Sequence, residues 1–261
     1  MLGKLLKHEI NATGRILLPL YLIMLLLSLV NRALAAINVL SGPLNIIKSF
    51  AVAAYVISIL AALVVTFVII IMRFYKNLMT DEGYLMFTLP AKPSQLINAK
   101  FIVALLWNVV SVIVVVASLF IVLATSKRID ILKGYIDLIF ASLKSDFGSR
   151  YVLLTIEFIL MIIVSVFQQI LLIYVSIAIG HMFGNHKVLG SFAAYIALST
   201  IMQIALTLIL VIWAAFAGSS FEALDTLPQM IFPFTIIVSI IFSVLFYLAT
   251  NYIFKRKLNL E

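Results

Sequence analysis

Six apolar runs, each long enough to cross a lipid bilayer, constrain this chain more than anything else in it. A helix needs about 20 apolar residues to span the hydrocarbon. Ile16–Leu40, Phe50–Met72, Phe101–Thr125, Tyr151–Gly180, Leu189–Ala217 and Ile231–Phe254 all qualify. Of the 261 residues 65% are hydrophobic and 11% charged, whereas soluble domains carry about 25% charged residues. Lipid as solvent removes the need for a charged exterior. The predicted fold is therefore an all-α integral membrane protein, a single transmembrane domain over residues 1–261. No alternating pattern at about ten-residue spacing supports an outer-membrane barrel. No polar block is long enough to fold as a second domain.

The net charge of +8 fits basic loop ends rather than nucleic-acid binding, because no basic stripe with interleaved aromatics is present. Cysteine is absent, which excludes disulfide and thiolate chemistry. The leading run resembles a signal peptide in its basic lead and its Ala33-Leu34-Ala35 sequence. The lead is long, however, and Asn31-Arg32 interrupts the apolar run, so we read it as a retained span. Placing both ends inside puts eleven Lys and Arg on the inner face and seven on the outer, which favours an N-in, C-in orientation.

Three segments outside the spans also carry helical patterns. Met1–Arg15 sets Leu2, Leu5, Leu6 and Ile10 on one face and Lys4, Lys7 and His8 on another, the pattern of an interfacial helix. Ile129–Leu143 is similarly amphipathic and is expected to cover the outer face. Gly218–Phe232 carries Glu222, Asp225 and Pro228 and reads as a shallow re-entrant excursion.

The connector Arg73–Lys100 is the most informative segment. It turns at Asp81-Glu82-Gly83, continues through an apolar stretch of Tyr84, Leu85, Met86, Phe87, Thr88 and Leu89, and is broken by Pro90 and Pro93. Ser94 is the expected N-cap of the helix entering the third span. Apolar side chains clustered in such a connector read either as a structured link or as a partner surface.

This segment resembles the type 2 ATP-binding cassette permeases: an acidic-Gly-aromatic turn, a short helix ending in Thr-Leu-Pro, then Lys-x-Ser-x-Leu-x-x-x-Lys opening the third span. The opening L-G-K-L-L-K-H-E-I-N-A-T-G-R is similar to that family's surface-lying helix. Tyr174–Gly180 and the basic turn at His186-Lys187 are similar to its fourth-to-fifth connection. The resemblance implies that Asp81–Pro93 holds a coupling helix that contacts the ATPase subunits. It also implies a second permease chain, identical or related, and a multi-pass location in the bacterial cytoplasmic membrane. The Lys127–Arg150 loop is longer than that family's pattern. No G-x-x-x-x-G-K-[ST] phosphate loop occurs, so no cofactor is expected in this chain; ATP and Mg would be bound by the partner. The chain is not expected to be an enzyme, since H-E-x-x-H and G-x-S-x-G are also absent.

Within the spans, Glu157 is the single acidic residue, and helical spacing places it with Met161, Val164 and Gln168 on one face. Glu157, Gln168, Asn108 and Gln203 are the candidates for a substrate pathway. For Glu157 the alternative is snorkelling toward Arg150 at the surface. For the polar stripes Asn108/Ser111/Ser118 and Ser199/Gln203/Thr207 it is hydrogen bonding between helices. His181 and His186 fall about 140° apart on a helix, a poor arrangement for one metal ion. Gly180-x-x-x-Gly184 reads as a helix end more readily than as a packing motif. The sequence expectation is an exporter permease moving a hydrophobic or amphipathic substrate (peptide, drug or lipid-like). The alternative is a non-transporting membrane scaffold or sensor.

Overall fold

A computed structural model describes residues 2–36, 44–79, 92–123, 126–183, 186–217 and 222–256. Its helices are α1 (Leu2–Ala36), α2 (Leu44–Met79), α3 (Pro93–Leu123), α4 (Ser126–Phe147), α5 (Tyr151–Gly180), α6 (Lys187–Ala217) and α7 (Glu222–Arg256), with a 3₁₀ turn at Gly148–Arg150. Among the described residues no strand occurs. Six helical stretches are long and apolar enough to cross a membrane: α1, α2, α3, the run that includes α5, α6 and α7. The described part of each predicted span is thus helical, and the boundaries of α5 coincide with the prediction at Tyr151–Gly180.

Several helices outrun their apolar stretches. The amphipathic segment before Arg15 is continuous with the first span in one 35-residue helix. Of the expected excursion Gly218–Phe232, the first four residues lie outside the described residues and Glu222–Phe232 forms the first turns of α7, which runs unbroken to Arg256. The helical backbone satisfies its own hydrogen bonds through both segments, so neither needs a break where polar residues enter. The amphipathic segment Ile129–Leu143 lies within α4, somewhat longer than expected. Gly148, at φ +56°, turns the chain between α4 and α5 in the left-handed region that glycine tolerates.

The chain divides into two compact units, Met1–Arg73 with Asn98–Ile136, and Phe74–Ile97 with Asp137–Glu261. In the first, α1 buries a stripe of residues three or four apart: Glu9, Thr13, Leu17, Tyr21, Met24, Ser28 and Asn31. Leu17, Tyr21 and Met24 pack with Tyr55, Ala62 and Ile69 of α2 and with Val103 and Trp107 of α3. Lipid is as apolar as these side chains, so burial alone does not drive such helices together; close packing and interhelical hydrogen bonds do. Tyr21 Oη and Thr66 Oγ1 lie 2.8 Å apart, and Tyr55 Oη and Ser118 Oγ 2.9 Å apart. Asn31 Nδ2 donates to Ala51 O at 2.9 Å. The Trp107 ring lies over Gly14, 3.4 Å from where a Cβ would stand.

In the second unit α5 is central, packing along both α6 and α7. Every residue from Ile170 to Ala178 is buried. Phe74 stacks on Tyr174 with ring centroids 3.7 Å apart and meets Phe254 edge-on at 5.9 Å. At the end of α5, a Cβ on Gly180 would collide with the backbone of Ser191 in α6. Gly180 is therefore both a helix end and a close-packing position, and the two readings of this glycine do not compete.

Candidate functional site

Asp81–Pro90, the core of the expected partner surface, lies outside the described residues; its two flanks do not. On one side α2 continues to Met79, seven residues past the apolar run that ends at Met72. At 1.5 Å per residue those residues extend the helix by about 10 Å. On the other side α3 starts at Pro93. Ser94 is therefore not the N-cap, as expected, but a first-turn residue. Lys92 takes that place, and Pro93 sits at the first helical position, where its fixed φ suits the helix and no N–H is missed. Gln95 Oε1 accepts from Lys92 N at 3.4 Å, the half of a capping box that the third helical residue supplies, while Gln95 N donates to the Lys92 backbone carbonyl at 2.8 Å. Phe74, Leu96 and Ile97 are fully or almost fully buried.

The four intramembrane candidates divide between the two units. Asn108 belongs to the first unit, and its Nδ2 donates to Ala104 O at 2.9 Å within its own helix. Glu157, Gln168 and Gln203 belong to the second. Gln168, buried, donates to Met202 Sδ on α6, and its neighbour Gln169 donates to Tyr195 Oη at 2.7 Å. This pair joins α5 to α6. Gln203, adjacent to Met202, is exposed. No ion pair joins Glu157 to Arg150 among the described residues; Arg150 donates to Gln229 Oε1. Glu157 Oε2 is shielded and has no hydrogen-bond partner among the described residues. A carboxylate left so costs more than a neutral amide of the same shape. Glu157→Gln is thus expected to leave the melting temperature unchanged or a few degrees higher. A clear drop in thermal melts of the purified chain would show that the carboxylate has a partner.

A second polar centre was not anticipated from the sequence. Glu9 of α1 accepts from Lys100 Nζ of α3 at 2.7 Å and from Arg73 Nη2 of α2 at 2.9 Å, with Arg73 Nε at 3.3 Å. Glu9 and Lys100 are almost completely buried, with 6% and 5% of their side-chain surface exposed, against 25% for Arg73. One turn along α1, Thr13 Oγ1 donates to Glu9 O at 2.7 Å and accepts from Trp107 Nε1 at 2.6 Å. The three charges all stand just outside the predicted spans, at the ends that the charge count places inside. In the sequence Arg73 and Lys100 stand as topology-setting charges and as the two ends of the connector, with Lys100 also closing the Lys-x-Ser-x-Leu-x-x-x-Lys motif. The available signal was Glu9 as the one acid on the buried stripe of an otherwise basic N-terminal segment.

The described residues hold no cluster of three or more His, Asp or Glu suited to a metal ion. No protein family, characterised protein or solved structure matches the chain. Fold and side-chain placement alone define the described residues as all-helical, with six stretches long and apolar enough to cross a membrane.

Proposed function

We propose that this chain is the membrane-spanning permease subunit of an ATP-driven exporter in the bacterial cytoplasmic membrane. A separate ATPase subunit would hydrolyse ATP, and two permease chains, identical or related, would form the pathway. The observation that carries this reading is the Arg73–Lys100 connector, with its acidic turn, apolar stretch ending in Thr-Leu-Pro and basic entry to the third span. The helical flanks support it. Seven residues of α2 beyond the apolar run, and a capped α3 beginning eight residues before the next one, hold the connector on ordered helix ends rather than on slack chain. The six apolar helices supply the span count that such a permease needs. A hydrophobic or amphipathic cargo is the substrate class in keeping with spans that carry a single acidic residue, Glu157. Co-purification of an ATPase with the tagged chain from its native membrane tests the proposal directly. Recovery of the intact chain with no ATPase would favour a scaffold or sensor.

Orientation has its own test. Single cysteines at Lys92 and Lys257 should resist an impermeant thiol reagent applied to intact cells, whereas Lys144→Cys should react. Labelling at Lys92 from outside would exclude an inward-facing connector.

A further inference from the structure

The geometry points to a binding slot for one acyl chain of an anionic bilayer lipid between α4 and the start of α5, with Lys144 holding the headgroup. A cavity of about 400 Å³ lies between Ile139, Leu143 and Phe147 of α4, Leu154 and Phe158 of α5, and Phe232 of α7. That volume falls in the range of about 300–1,000 Å³ typical of small-ligand pockets. No charged side chain lines it. Its polar side chain, Thr155, turns its hydroxyl back to Tyr151 O at 2.8 Å, so nothing inside the slot offers a hydrogen bond to a headgroup. The Phe158 and Phe232 rings meet at 5.8 Å against the slot. A second cavity of about 430 Å³ shares Phe140 and Thr155 with the first and adds Lys144 and Tyr151. The two together are apolar along one end and cationic at the other, which is the shape of a chain with an anionic head.

The charges around the rim favour an anion. Lys144 is exposed and makes no ion pair among the described residues, while Arg150 is occupied by Gln229. Asp146 accepts from Ser145 Oγ at 3.0 Å. The helix that forms the outer wall suits the bilayer surface: Tyr135, Leu138 and Ile139 of α4 are more than half exposed, as in a helix whose apolar side enters the lipid interface. This inference stands on the α4–α5 geometry and is independent of the exporter reading.

The test uses the full chain reconstituted in vesicles of phosphatidylglycerol and phosphatidylcholine in equal amounts, extracted gently and weighed intact by native mass spectrometry. One phosphatidylglycerol should remain per chain, favoured about fivefold over phosphatidylcholine, the preference expected from one basic residue near an anionic surface. Lys144→Gln should bring the ratio close to one. Thr155→Phe, which fills both cavities, should remove the retained lipid altogether. Ile139→Trp fills the slot from its exposed wall and gives the same reading should Thr155→Phe fail to fold. Equal retention of the two lipids by the wild type, or retention unchanged in the filled variants, would overturn the proposal.

Discussion

Leu85→Ala/Phe87→Ala is expected to abolish recovery of an ATPase with this chain while leaving its membrane insertion intact. Both residues belong to the apolar stretch between the acidic turn at Asp81-Glu82-Gly83 and Pro90. A docking element needs apolar anchors to fill a groove on its partner, and truncating one well-buried anchor costs about 2 kcal/mol or more. That is roughly a thirtyfold loss of affinity per anchor, so the double variant should fall below detection in a pull-down. No apolar run is altered, and expression and detergent extraction should match the wild type. Asp81→Asn should act more mildly, because a charge at the rim of an interface mainly tunes the association rate. Undiminished ATPase recovery with the double variant would show that this connector is not the docking element.

The second large effect should come from Glu9. Its carboxylate takes hydrogen bonds from Lys100 and Arg73, and it and Lys100 are both buried. Removing one member of a buried pair leaves the other charge uncompensated, at a cost of about 3–5 kcal/mol. Glu9→Ala should therefore lower the melting temperature of the purified chain, on the order of 10 °C. Arg73→Ala should cost less, since Arg73 is partly exposed and Glu9 keeps Lys100. The pairing itself is read from the double variant Glu9→Leu/Lys100→Met, which removes both charges and should recover much of the lost stability, as apolar replacement of a whole buried pair often does. A melting temperature unmoved by Glu9→Ala would mean the three charges contribute nothing to the fold.

These two centres mark what could and could not be read in the residues. The six spans were legible because length and apolarity are local properties, and α5 begins and ends where its apolar run does. The ends of α1, α2, α3 and α7 were less so, because each continues into polar sequence, where Glu9, Arg73, Lys100 and Gln229 find tertiary partners. Arg73 and Lys100 look like ordinary loop-end charges until α1 brings Glu9 beside them, across 64 and 91 positions of sequence. The reading of Ser94 failed on local chemistry: Pro93 can occupy the first helical position, and Gln95 can close the cap. Of the intramembrane candidates, Gln168 joins α5 to α6, which periodicity showed as a shared face but could not pair with Met202.

The two halves of α5 differ in their surroundings, and this sets how freely the sequence can drift. Ile156, Ile159, Ile162 and Ile163 in its first half are each about half exposed. Exchanges there among Ile, Leu and Val replace one lipid-compatible surface with another and should accumulate almost neutrally. From Ile170 to Ala178 every side chain is enclosed, and packing at interior density registers even a single methylene. The same exchanges should be filtered out there, most strictly at Tyr174 beneath the Phe74 ring. A saturation library across this one helix should show tolerance falling from its first half to its second, although hydropathy barely changes along it.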